Sequence, residues 1–121
     1  MRHQAFAGAI GQDKERLAER FLREHGLELR TRNHRCRFGE IDLVMADGDT
    51  LVFVEVRYRR SARFGSAAET VDARKRQRLV KTARHYLQRN PTMLPCRFDV
   101  IAIDGPDHIN WIRHAFALDT F

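Results

Sequence analysis

The chain has 121 residues and a mass of 14.2 kDa, enough for one compact domain (1–121) and too little for a second. Lys and Arg number 22 against 16 Asp and Glu, giving a net charge of +6 and an isoelectric point of about 10.1. With 43% apolar and 31% charged residues, the chain can close a core, which argues against disorder of the whole. Apolar runs of only a few residues fall far short of the roughly 20 needed to span a bilayer, so no membrane association is expected. Residues 1–10 lack the sustained hydrophobic segment of a secretory signal. Cys36 and Cys96 cannot build a disulfide framework and lack metal-ligand spacing; they read as two reduced thiols of a cytoplasmic protein.

In chain order, residues 12–25 read as a helix, with Leu17, Ala18, Phe21 and Leu22 recurring at helical spacing and His25-Gly26 as its stop. Residues 27–32 alternate and suggest a first strand near an edge. Residues 39–46 and 50–57 read as a hairpin around Asp47-Gly48-Asp49. After a loop over 58–69, the spacing predicts a second helix from about Asp72 to Arg89. Leu79, Val80, Ala83, Tyr86 and Leu87 form its buried stripe, Asp72 its N-cap and Asn90-Pro91 its end. Residues 97–103 make a strong strand, and 109–116 a weaker last one beyond Asp104-Gly105-Pro106. This order implies an α/β fold in which a mixed sheet is flanked by helices.

The hairpin carries the chemistry. Ile41, Leu43 and Met45 share one face of its first strand, and Val52, Val54 and Val56 one face of its second. Matching these sets requires paired residue numbers with an odd sum. That sum is 97 for a Gly48-Asp49 loop and 95 for Asp47-Gly48. Either register gathers Glu40, Asp42, Glu55 and Arg57 on the opposite face. At 97, Asp42 lies across from Glu55, close enough for both carboxylates to share one cation. Facing like charges call for neutralisation, by a hard divalent cation such as Mg²⁺ or by Arg57.

GEIDLV (39–44) followed by VFVEVRYR (52–59) resembles the Asp…Glu-x-Lys signature of the PD-(D/E)xK nuclease superfamily. With Ala18-Glu19, Phe64-Gly65, Lys75 and Arg97-Phe98-Asp99-Val100, the chain resembles the YraN-like family of uncharacterised bacterial proteins (uncharacterised protein family 0102) over about residues 8–103. That family is distantly similar to archaeal Holliday-junction resolvases. The resemblance implies a restriction-endonuclease-like α-β-β-β-α-β core, with 109–116 as an extra strand, and an endonuclease acting on structured or branched DNA. It implies Mg²⁺ or Mn²⁺ on Asp42, Glu55, the Val56 carbonyl and Glu19, and a homodimer.

Glu19 could equally be an exposed acid in an i,i+4 pattern with Glu15 and Arg23, and Glu40 a salt-bridge partner of Arg57. Where the family usually carries lysine this chain has Arg57, which stays charged and cannot act as a general base but can stabilise charge on a phosphoryl group. Lys75, at the start of the second helix, could supply the amine instead. The motif thus leaves open a catalytically impaired nucleic-acid-binding module, or a basic protein-interaction domain. Arg59, Arg60 and Arg63 interleave with Tyr58 and Phe64 in the loop past the acids. Arg74, Lys75, Arg78, Lys81 and His85 could form a phosphate rail along the second helix.

Overall fold

A computed structural model describes residues 2–60 and 71–117, with residues 2–10 as backbone only. Helix α1 (Arg2–Glu24) leads into three antiparallel strands, β1 (Glu28–Cys36), β2 (Gly39–Asp47) and β3 (Thr50–Arg59). Helix α2 (Ala73–Arg89) then crosses over to β4 (Cys96–Asp104), and β5 (His108–Phe116) closes the sheet. The strands lie in the order β1-β2-β3-β4-β5, antiparallel except for the β3–β4 pair. A parallel pair needs a long crossover, and α2 provides it. The α/β class, the α-β-β-β-α-β core and the mixed sheet with flanking helices are those expected.

Each helix covers one face of the sheet. Ala18 and Leu22 of α1 pack on Leu43, Met45, Val52, Val54, Ile101 and Ile103, with Leu17 and Phe21 against the same cluster. On the other face Leu79, Val80, Ala83 and Tyr86 of α2 meet Val44, Leu51, Phe53, Phe98 and Val100, with Leu87 against them. The central strands are therefore apolar on both sides. This double burial gives Val44, Leu51 and Phe53, which lie outside the alternating set, their place in the second core.

The helix ends follow their sequence signals. Gly26, at φ 92°, lets α1 stop: Leu27 N–H donates to Leu22 O and Gly26 N–H to Arg23 O, both at 3.0 Å. Asp72 caps α2 by accepting from Lys75 N–H at 2.9 Å. Asp72→Ala should cost about 1 kcal/mol, read as a lower urea midpoint at unchanged slope. Helix α1 begins ten residues earlier than the periodicity indicates, because Gly8 and Gly11 weaken the helical signal there.

The hairpin pairs Asp47 with Thr50 and Leu43 with Val54, the register whose numbers sum to 97. Its alternation breaks at Asp42. Ile41 joins Val44 and Phe53 in the α2-side core, whereas Leu43 and Met45 face α1, so the three do not share one face. The neighbouring edge strand turns with it. Asn33 adopts φ 52°, after which His34 meets Tyr86 of α2 while Arg32 reaches Glu19 of α1.

At the opposite edge the fully buried Asp99 carboxylate is satisfied by Arg97 Nε (3.0 Å), Trp111 Nε1 (2.9 Å) and His114 N–H (3.0 Å). The last two bonds tie β5 to β4 across a bulge. Neither cysteine is paired.

Candidate functional site

The β2–β3 ladder stops after Leu43 and Val54, one step short of the acids. Beyond it the strands part. Asp42 turns into the gap and accepts the Val56 N–H on Oδ2 at 2.7 Å, so a carboxylate satisfies a donor released by the ladder's end. Its carboxyl also hydrogen-bonds Glu55, so the pair meets through side chains rather than through the ladder. Burial first, and the Glu55 charge second, push Asp42 up to about 10. The Asp42 proton then bridges the pair.

Two further carboxylates converge there. Oxygens of Glu15 from α1, Glu40 and Asp42 all lie within 4.8 Å of one another. The Asn33 side-chain amide donates to Glu15 Oε1 (2.6 Å) and Glu40 Oε1 (2.8 Å), holding them side by side. Asparagine tolerates the left-handed backbone that aims this amide. Arg35 Nε pairs with Glu40 Oε2 at 3.0 Å, so Asn33 and Arg35 hold the acid for which Arg57 was the alternative partner. Burial pushes the Glu15 carboxyl up, the Asn33 bond opposes it, and the Glu40 and Glu55 charges add to the rise.

Glu19 lies one helical turn away, outside this group. Its buried carboxylate takes Arg32 Nε (2.7 Å) and Nη2 (2.9 Å), and Arg23 Nε stands at 3.2 Å. The Arg32 bonds hold the Glu19 carboxyl below the usual carboxylate range. Glu15, not Glu19, is the helix glutamate beside Asp42. The i,i+4 bond to Arg23 is present, yet Glu19 is not an exposed acid.

Glu55 is only 4% exposed, and Lys75 reaches it from the first turn of α2, with Nζ 3.1 Å from Oε2. Arg57 Nη1 is farther, at 3.7 Å. Among the residues expected at the site, Asp42, Glu55, Lys75 and Arg57 come together, with the Val56 backbone alongside.

Arg59 and Arg60 follow on β3 and just beyond it, Arg59 half-buried and Arg60 exposed. Arg63 and Phe64 lie outside the described residues. Arg74, Arg78 and Lys81 are exposed on α2. Tyr58 is 39% exposed, with Lys14 Nζ 4.6 Å from its ring centre. A second basic surface was not apparent from charge clustering: Arg16, Arg20 and Arg23 of α1 join Arg32 around Glu19 in a cavity of about 510 Å³. Their spacing along one helix was the available signal, but it was diluted by intervening acids.

Fold and site together define a small α/β domain whose central hairpin opens at one end onto converging carboxylates and a lysine. The chain belongs to the uncharacterised protein family UPF0102, whose profile matches residues 14–103, a span that holds every acid of the site. It is 53% identical over 112 residues to a UPF0102 protein of Nitrosomonas europaea (91% of this chain, 95% of the relative). It is 54% identical over 110 residues to one of Methylobacillus flagellatus (89% and 96%). With one of Pseudomonas fluorescens the identity is 50% over 109 residues (88% and 91%). Among the described residues no helix is long and apolar enough to cross a membrane.

Proposed function

We propose that the protein is a divalent-metal-dependent endonuclease acting on structured or branched DNA, with Asp42 at the centre of its active site. The observation that supports this most is the Asp42 carboxyl. It faces Glu55 and adjoins Glu15 and Glu40, and burial first, then the Glu55 charge, hold its proton far above the ordinary carboxylate range. An all-oxygen donor set of this kind suits Mg²⁺ or Mn²⁺ and disfavours softer metals. Asp42 and Glu55, with Glu15 and Glu40 to hand, would hold the ion; Glu19, committed to Arg32, would not. A bound cation supplies Lewis acidity towards a phosphate and a lower pKa for an attacking water.

The chain's own groups do the rest. Losing the Asp42 proton frees its second oxygen, while the Val56 N–H keeps the first in place. Lys75, drawn to Glu55, presents an ammonium where charge develops on the scissile phosphate. Arg57 adds fixed positive charge beside it. Arg59, Arg60, Arg74, Arg78 and Lys81 position the backbone without reading sequence. Arg57 in the motif's lysine position is the feature that favours an inactive binding module, and the Lys75 amine at 3.1 Å from Glu55 weighs against that reading.

Calorimetric titration with Mn²⁺, then a nicking assay on junction and flap DNA, tests the proposal. The wild type should bind and nick, and Glu55→Ala should do neither. Glu15→Gln should weaken Mn²⁺ binding about tenfold, as loss of an outer oxygen partner does, while Glu19→Gln leaves it unchanged. Equal heats for wild type and Asp42→Ala would remove the metal, and with it the enzyme.

A further inference from the structure

Two cavities adjoin along the seam between the β1–β2 turn and α2. The larger, about 990 Å³, is walled by His34, Arg35, His85 and Arg89. The smaller, about 350 Å³, reaches Lys75, Arg78 and Glu40, and so ends at the carboxylates. Cys36, Arg37 and Phe38 line both, making one groove that leads out of the candidate active site. Its walls are strongly basic. Glu40, at the inner end, is the one carboxylate among the residues that line it, and among the described residues no carboxylate pairs with Arg37, Arg78 or Arg89.

The middle of this groove holds a residue that turn chemistry does not explain. The connection between β1 and β2 is the pair Arg37-Phe38, where Gly, Asn, Asp, Pro or Ser would be ordinary. Phe38 is half-buried, belongs to neither core cluster, and has the Arg37 guanidinium 4.7 Å and Lys81 Nζ 5.8 Å from its ring centre. An aromatic face beside a planar guanidinium is a stacking platform for an unpaired base.

The outer wall is held in place by its own bonds. Arg89 Nε donates to His85 Nε2 at 3.4 Å, so His85 carries its proton on Nδ1 and donates it to His34 Nε2 at 3.0 Å. The Tyr86 and His34 rings meet edge to face, 5.2 Å between centres. The groove therefore needs little ordering when it binds.

We propose that this groove binds a single strand of DNA leaving the active site, its phosphates on Arg35, Arg78 and Arg89 and one base stacked at Phe38. The proposal rests on the nucleic-acid reading above and adds to it a strand type and an exit path. A duplex keeps its bases stacked internally and cannot use the platform, so the groove selects unpaired DNA. Arg59, Arg60 and Arg74, with the basic α1 surface, remain for the duplex.

The test is fluorescence anisotropy in EDTA, with a labelled oligothymidine against a duplex of equal length. Phe38→Leu should weaken single-strand binding about tenfold, the loss expected for one stacked base. Arg89→Glu should weaken it at least as much and flatten its salt dependence. Neither variant should alter duplex binding, and unchanged melting temperatures would show that both fold. Wild-type affinity in both variants overturns the proposal, as does an equal loss on single strand and duplex. Displacement of the oligonucleotide by polyglutamate, itself dependent on Phe38, would reassign the groove to an acidic peptide. Because no cleavage occurs in EDTA, a failed nicking assay leaves this result standing, and a nuclease indifferent to Phe38 loses only the groove.

Discussion

Asp42→Asn should make the cation-free protein more stable, and the gain should widen as pH rises. Asparagine is the neutral isostere of the protonated acid. Its oxygen can accept the Val56 N–H and its amide can donate to Glu55, so both bonds of Asp42 survive. The wild type carries a penalty the variant lacks. Its folded-state carboxyl titrates near 10 against an ordinary value of 3.8, so between those limits the folded chain retains a proton that the unfolded chain releases. Stability therefore falls as pH climbs through this window, and is unaffected by the group below it. A tenfold change in proton affinity is worth about 1.4 kcal/mol. Screening by water at a half-buried site leaves an expected gain of about 1–2 kcal/mol near pH 8, or roughly 4–8 °C in Tm. Near pH 4 the two proteins should melt together.

Saturating Mn²⁺ should reverse the order, because binding stabilises only the chain that can ionise there. Nicking by the variant should fall by about 10³ or more. A variant less stable than wild type near pH 8 would show that the Asp42–Glu55 pair is not held by a shared proton.

Much of this geometry can be read from residue order, and the parts that cannot have physical reasons. Alternation restricts the hairpin to an odd-sum register, since a one-residue slip would move one whole apolar set, Leu43 with Met45 or Val52 with Val54, to the other face; the choice of 97 over 95 comes from the turn. Both ends of α2 follow from Asp72 and Asn90, whose polar groups meet helix-end backbone groups locally.

The choice between Glu15 and Glu19 does not follow. Four residues apart, they share one helix face, and only the height of α1 over the sheet decides which meets Asp42 and which meets Arg32. Nor does the reversal at Ile41. It goes together with the left-handed Asn33 of the adjacent strand, beyond the six residues, 27–32, whose alternation marks that strand. Lys75 was legible as a basic residue in a basic run, but its selection came from the third dimension. The Asp72 cap fixes the first turn of α2 and so the direction in which residue 75 projects.

That direction makes Lys75 the more consequential of the two cations beside Glu55. Lys75→Met should lower nicking by about 10²–10³, the range for removing one donor or one proton-transfer group from a site. Arg57→Lys should change it by less than about threefold, because the amine position is already taken. The charge at residue 57 stays at 3.7 Å or more from Glu55, against 3.1 Å for Lys75. Lys75→Arg separates the roles left to the lysine. If fixed charge on the phosphate suffices, arginine restores most of the rate and the pH profile keeps its shape. If a titrating amine handles a proton, arginine is as inactive as methionine, since guanidinium does not deprotonate, and an alkaline limb seen in the wild type is absent from any residual rate. A large gain from Arg57→Lys, with Lys75→Met neutral, would mean that the motif lysine alone had been missing and that Lys75 serves only to neutralise Glu55.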